Sequence, residues 1–213
     1  MSWDFYQCLV NDKPASISLN LGLASRAPLA GYPELFYLRI PMCQPREDGL
    51  SSQAEFVTLN QIEDKVVEAL TADNKMIYVG RLTSDGCRDL FFYSSSDDID
   101  EEALEISLSD FSEYAWEGGI NPDPDWETYF QLLMPSETQL ESIKNRRVCD
   151  AMVDRGEALT TPREITHWAY FATETAASEY AAKAQATGYQ VLDTQLQDND
   201  DERYCVQVSN IGI

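Results

Sequence analysis

The alternation of strand and helix periodicities between residues 35 and 117 constrains the fold more than any other feature of this chain. Residues 35–42 (LFYLRIPM) are aromatic and aliphatic enough for a strand. Leu59, Ile62, Val66 and Leu70 then recur at helical spacing, so residues 58–70 are expected to form a helix with one apolar face. Thr58 and Gln61 stand three apart, as a capping box requires. Residues 76–82 and 90–93 read as strands on either side of a Ser84-Asp85-Gly86 turn. Residues 99–108 read as a second helix and residues 111–117 as a closing strand. This order layers two helices on an antiparallel sheet in the ferredoxin-like manner.

The flanking segments extend that plan. Residues 4–10 and 15–23 alternate as two arms of a hairpin, with Asn11-Asp12-Lys13-Pro14 as the turn. After the break at Asn121-Pro122-Asp123-Pro124, the residues Trp126, Tyr129, Phe130 and Leu133 are expected to share one face of a short helix. Asp125 would cap this helix and Pro135 would end it. Residues 137–155 predict a helix stopped by Gly156, followed by a strand over 163–171. A helix over 173–187 is closed by Gly188, and strands over 189–196 and 204–208 flank a turn at 198–201. The fold class expected is therefore α+β. A ferredoxin-like antiparallel sheet with two helices and an added N-terminal hairpin (residues 1–135) precedes a second, incomplete ferredoxin-like unit (residues 136–213).

Charge narrows the partners. The chain carries 37 acidic and 15 basic side chains, a formal net charge of −22. Residues 89–143 hold 15 acids and no lysine or arginine. Such a surface repels phosphate backbones, so direct nucleic-acid binding is not expected. Basic proteins would be attracted and steered instead. The plainer reading is that acidity serves solubility. No basic segment followed by an apolar stretch opens the chain, and no apolar run is long enough for a membrane helix. Five scattered cysteines without metal or redox spacing fit reduced thiols in a cytoplasm.

Residues with catalytic potential are few. His167 is the single histidine, and no carboxylate or fellow ligand stands at a suggestive spacing. Cys149 follows Arg146 and Arg147, which would favour a thiolate, but on a helix it is expected to pack. Asp97-Asp98-Ile99-Asp100-Glu101-Glu102 lacks the glycine and terminal glutamate of a calcium loop, and its carboxylates suit the first turn of a helix. The chain shows no phosphate-cradling glycine loop, nucleophile elbow or zinc signature. No catalytic residue, metal site or cofactor is expected.

Two stretches carry family resemblances. Trp3-Asp4-Phe5-Tyr6, Pro45 with Asp48-Gly49-Leu50, Tyr78-Val79-Gly80-Arg81, Phe91-Phe92-Tyr93 and Asp123 through Leu133-Met134-Pro135 resemble the bacterial family called domain of unknown function 695. That resemblance implies no activity. Val153-Asp154-Arg155-Gly156, the run from Pro162 through Phe171, and Tyr180 with Gly188-Tyr189-Gln190-Val191 resemble the amino-terminal half of the regulator of ribonuclease E activity B family. This second resemblance implies an acidic, ferredoxin-like inhibitor that binds the ribonuclease rather than RNA. The chain ends at Ile213, before the family's later helix, final strand and acidic tail.

The expectation is a non-catalytic regulatory or adaptor protein that binds a basic protein partner, with a ribonuclease as the candidate. The partner-binding residues expected are Asp97, Asp98, Asp100, Glu101, Glu102, Glu105, Trp126, His167 and Trp168. Two alternatives stand beside it. One is an enzyme or small-ligand protein with a site between the modules, lined by Trp116, Trp126 and Trp168. The other is a homodimer paired through the incomplete second sheet.

Overall fold

A computed structural model describes residues 3–160, 162–196 and 204–212. It divides the chain into two compact units, Met1–Lys144 and Asn145–Ile213. The chain is α+β, with a six-stranded antiparallel sheet in the first unit and a three-stranded antiparallel sheet in the second. The turn expected at residues 198–201 lies outside the described residues.

The hairpin pairs β1 (Trp3–Val10) with β2 (Lys13–Asn20). Its turn is Asn11-Asp12 alone, shorter than expected. Both residues adopt left-handed φ values, 51° and 62°. That is the mirror-image turn whose twist matches paired strands, and Asn and Asp tolerate it. Lys13 and Pro14 therefore join β2. The expected alternation also stops early, because Leu21–Leu23 forms a 3-10 turn opened by the Asn20 side chain, which accepts from the Gly22 amide.

β3 (Glu34–Pro41), α1 (Gln53–Thr71), β4 (Met76–Ser84), β5 (Cys87–Ser94), α2 (Glu101–Leu108) and β6 (Glu117–Pro122) follow. The strands lie in the order β1-β2-β4-β5-β3-β6, each antiparallel to its neighbour. Three boundaries differ from expectation. α1 begins at Gln53, not Thr58, because Ser52 Oγ accepts from the Glu55 amide and supplies the cap. Phe56 and Val57 face outward, so the first turn lacks the apolar stripe that marks the rest of the helix. Glu55 is buried there, its carboxylate accepting from the Cys43 and Gln44 amides at 2.7 and 2.5 Å. Residues 111–117 are not a strand: Ser109–Phe111 is a 3-10 turn that buries Phe111, and β6 starts only at Glu117. β5 extends back to Cys87 through Arg88 and Asp89, whose polarity masked a strand buried along nearly its whole length.

Each face of the large sheet carries a core. On one, α1 and α2 set Leu59, Ile62, Val66, Leu104 and Leu108 against Phe36, Leu38, Leu90 and Phe92. Complete burial of Leu59, Ile62 and Val66 is worth about 1.5–3 kcal/mol each. On the other face, Ile17, Leu19, Val79, Phe91 and Tyr93 meet Trp126, Tyr129 and Leu133. Gly80 lies between those layers, where a Cβ would come within 2.7 Å of the Ser18 carbonyl oxygen, so a side chain there would force β2 and β4 apart.

The aromatic segment is a π-helix, Thr128–Leu133, closed by the Met134 amide donating to Tyr129 O. Its wider turn buries Trp126, Tyr129 and Leu133 but leaves Phe130 partly exposed, so the four residues do not share a face. Asp123 caps it, not Asp125. The Asp123 carboxylate accepts from the Glu127 amide at 2.7 Å, the Thr128 amide at 3.0 Å and the Tyr93 hydroxyl at 2.6 Å. Burial alone would raise its pKa, but the Tyr93 hydroxyl and the two amides outweigh this and hold it below the ordinary carboxylate value. Trp126 sits beside this cap at φ 57°, a rare conformation for so bulky a residue. Its ring stacks on Tyr93 at 3.9 Å and its Nε1 donates to Tyr32 O at 3.0 Å. These contacts hold it there.

α3 (Glu137–Asp154) spans the division between the units. In the second unit β7 (Arg163–Phe171), α4 (Glu174–Ala186), β8 (Gln190–Leu196) and β9 (Tyr204–Gly212) form a sheet of order β7-β9-β8. Thr173 caps α4 by accepting from the Ala176 amide, and Gly188 follows its end at φ 95°. Ala177 and Ala184 let α4 approach Val206 and Val208 closely. β9 runs past its expected end at Val208, since Ser209 and Asn210 still pair with Thr166 and Ile165.

Candidate functional site

A concavity of about 940 Å³ in the first unit runs along α1. Glu63, Asp64, Val67, Glu68 and Thr71 form one wall, at spacings that share a helix face. Trp3, Ser18 and Tyr78 line it from β1, β2 and β4, and the segment after β2 contributes Leu23, Arg26, Leu29 and Tyr32. Trp3 stacks on Tyr78 with ring centroids 5.1 Å apart, and Tyr78 packs in turn on Phe92. One end is tied by Tyr32, whose hydroxyl donates to Asn74 O at 2.9 Å.

A charged network supports this groove from within. Glu63 accepts from the Tyr78 hydroxyl at 2.8 Å, Arg81 Nη1 at 2.5 Å and Arg88 Nη1 at 3.2 Å. Asn60 Oδ1 accepts from Arg88 as well, at 2.8 Å. Arg88 is 1% exposed, and its Nε has no partner among the described residues. Burial, then the neighbouring Arg81, pull its pKa down to about 10. Burial, then the Glu63 carboxylate, push the Tyr78 phenol well up. With a phenol and two guanidiniums bound, Glu63 has its lone pairs committed to structural bonds. It anchors α1 to β4 and β5. The signal for this network was present in the chain, since two arginines in otherwise buried strands require a carboxylate partner. Only tertiary packing selects Glu63 among the acids of α1.

The expected acidic surface lies elsewhere on the same unit. Asp97, Asp98, Asp100, Glu101, Glu102 and Glu105 are all exposed. Asp100 caps α2, accepting from the Ala103 amide at 2.9 Å. Asp98, Asp100 and Glu101 border a recess of about 590 Å³ that also contains Asp73 and Lys75. Lys75 pairs with Asp73 at 3.0 Å, and its pKa is raised by that hydrogen bond first, with Asp98 and Asp100 adding to it. Among the described residues, no group of three or more His, Cys, Asp or Glu is placed to hold a metal ion.

The other expected site residues separate. Trp126, just before the π-helix, is wholly buried in the core with its ring stacked on Tyr93, so it offers no surface to a partner or a pocket. His167 and Trp168 are exposed on opposite faces of β7, as alternate strand residues must be. His167 Nε2 lies 3.4 Å from Asn210 Oδ1, and its ring meets Tyr189 edge-on. All five cysteines are free, and burial pushes the Cys8 and Cys87 thiols above their ordinary value. Cys149 is exposed on α3 rather than packed. No helix among the described residues is long and apolar enough to cross a membrane.

No curated protein and no solved structure matches the chain. Residues 142–212 match the family described as regulator of ribonuclease activity B, which takes in β7, α4, β8 and β9 with most of α3. Residues 1–134 match the family of unknown function DUF695, from the hairpin through the π-helix. On that match, which spans well over half of its length, the chain belongs to the DUF695 family, and its remaining third is similar to the ribonuclease regulators.

Proposed function

We propose that this chain is a non-catalytic regulator or adaptor that binds a basic protein partner, in the first place a ribonuclease. The match of residues 142–212 to the regulator of ribonuclease activity B carries the reading. The six exposed carboxylates around α2 support its electrostatic part. Charge of that kind gives fast, salt-sensitive association. The sheet order β6-β3-β5-β4 under α1 and α2 supports a ferredoxin-like first module with an added hairpin. The β7-β9-β8 sheet with α4 supports an incomplete repeat of it. A cytoplasmic setting agrees with five free cysteines.

The test is binding to purified ribonuclease E at about 50 mM and about 500 mM salt, with RNA cleavage as the second readout. The expected result is capture at low salt, weaker capture at high salt and slower cleavage. No capture at low salt overturns the proposal.

A second reading rests on the edges of the small sheet. β7 and β8 are both unpaired on their outer sides within the described residues, and β7 exposes Trp168 and Tyr170. Edges of this kind favour pairing between chains. A homodimer is then expected by sedimentation at micromolar concentration, and a monomer there removes the reading.

A further inference from the structure

The groove along α1 has a chemistry that points to one kind of occupant. Asp64 and Glu68 stand four residues apart on its exposed wall, and among the described residues neither is ion-paired, even with Arg26 lining the same groove. Val67 and Thr71 continue the same helix face between and below them. Opposite lie two stacked aromatic rings, Trp3 and Tyr78, the first of them partly exposed. Exposed carboxylates beside an aromatic floor suit a lysine or arginine side chain, whose apolar stem lies on the rings while its charge meets the acids. The Glu63 network beneath ties the Tyr78 hydroxyl to the Arg81 and Arg88 guanidiniums, so the floor is formed before anything binds. At this acidic wall the acidic surface of a second copy would be repelled, and a nucleic acid would be repelled as well.

We propose that this groove is the docking site for an amphipathic basic segment of a protein partner, its cations on Asp64 and Glu68 and its apolar side chains against Trp3, Tyr78 and Val67. The inference rests on the reading that the chain binds a basic protein, and it names the surface. It places the contact on α1 rather than at the α2 carboxylates that the charge distribution alone would choose.

The probe is a fluorescent decapeptide of alternating lysine and leucine, titrated at low salt beside deca-lysine and an alternating glutamate–leucine decapeptide. Three variants are compared: Asp64→Lys with Glu68→Lys, Asp97→Lys with Asp98→Lys, and Trp3→Ala. The two double variants change net charge equally. All the altered residues are exposed, and near-UV circular dichroism checks that each variant keeps its fold. Groove reversal is expected to weaken lysine–leucine binding by about tenfold or more, reversal at α2 by about twofold or less. Trp3→Ala is expected to weaken it with no change in charge. Equal effects of the two double variants, or deca-lysine binding as tightly as the lysine–leucine peptide, overturn the groove as the site. A dimer lost on groove reversal assigns the groove to a second copy and also overturns the proposal. Ribonuclease capture surviving groove reversal removes this site while leaving the proposed function intact. Absence of capture by the unaltered chain removes the function itself.

Discussion

Replacing Glu63 by alanine is expected to destabilise the first unit by about 3–5 kcal/mol, the cost of stranding a buried charge. Arg88 is 1% exposed and would lose the only ionic partner it has among the described residues, while Arg81 would lose its carboxylate 2.5 Å away. Glutamine in place of Glu63 keeps one carbonyl acceptor and should fall between the two. The double variant Glu63→Leu with Arg88→Met removes both buried charges and should lose much less than Glu63→Ala, because Arg81 can still reach water. Urea unfolding followed by far-UV circular dichroism measures all three. A loss below about 0.5 kcal/mol for Glu63→Ala would show that the network carries little of the stability.

Asp123→Ala is the second large effect, about 3–4 kcal/mol, since it leaves the Tyr93 hydroxyl and the Glu127 and Thr128 amides without their acceptor. This loss has a pH signature. The folded-state pKa of Asp123 is lowered, so its contribution is fully present above the unfolded value of about 3.9 and disappears as pH falls through the folded value. The stability gap between the unaltered chain and Asp123→Ala is thus widest near neutrality and closes in acid below about pH 4. Trp126 stacks on Tyr93 next to the cap, so its fluorescence follows the same transition. A gap that stays constant down to pH 2 would assign the effect to packing rather than to the carboxylate.

Much of the architecture was legible in local patterns. Leu59, Ile62, Val66 and Leu70 marked the buried face of α1, and all four are buried. Gly156 and Gly188 marked helix ends, and both take positive φ. These signals survive because hydrophobic periodicity and backbone freedom act within a few residues. The aromatic segment after Asn121 was misleading for the opposite reason. Trp126, Tyr129, Phe130 and Leu133 fit one face of a regular helix, but Tyr93 and Asp123 select a π-helix that exposes Phe130. Arg88 and Asp89 fall outside the strand expected over residues 90–93, yet they lie inside β5, each matched by a partner from a distant element.

The candidate site shows the same divide. The acidity of residues 89–143 is a property of the sequence by itself, because formal charge adds along the chain whatever the fold. That it does not favour phosphate backbones follows at once, and the two family resemblances and the α+β order of elements were likewise legible in the sequence. Which carboxylates remain available was decided only by tertiary structure. Glu55 and Glu63 are consumed by amides, a phenol and guanidiniums, Asp123 by a cap, and Asp64 and Glu68 are left facing a groove. Pairing and burial depend on residues far apart in the chain, and the fold alone brings them together.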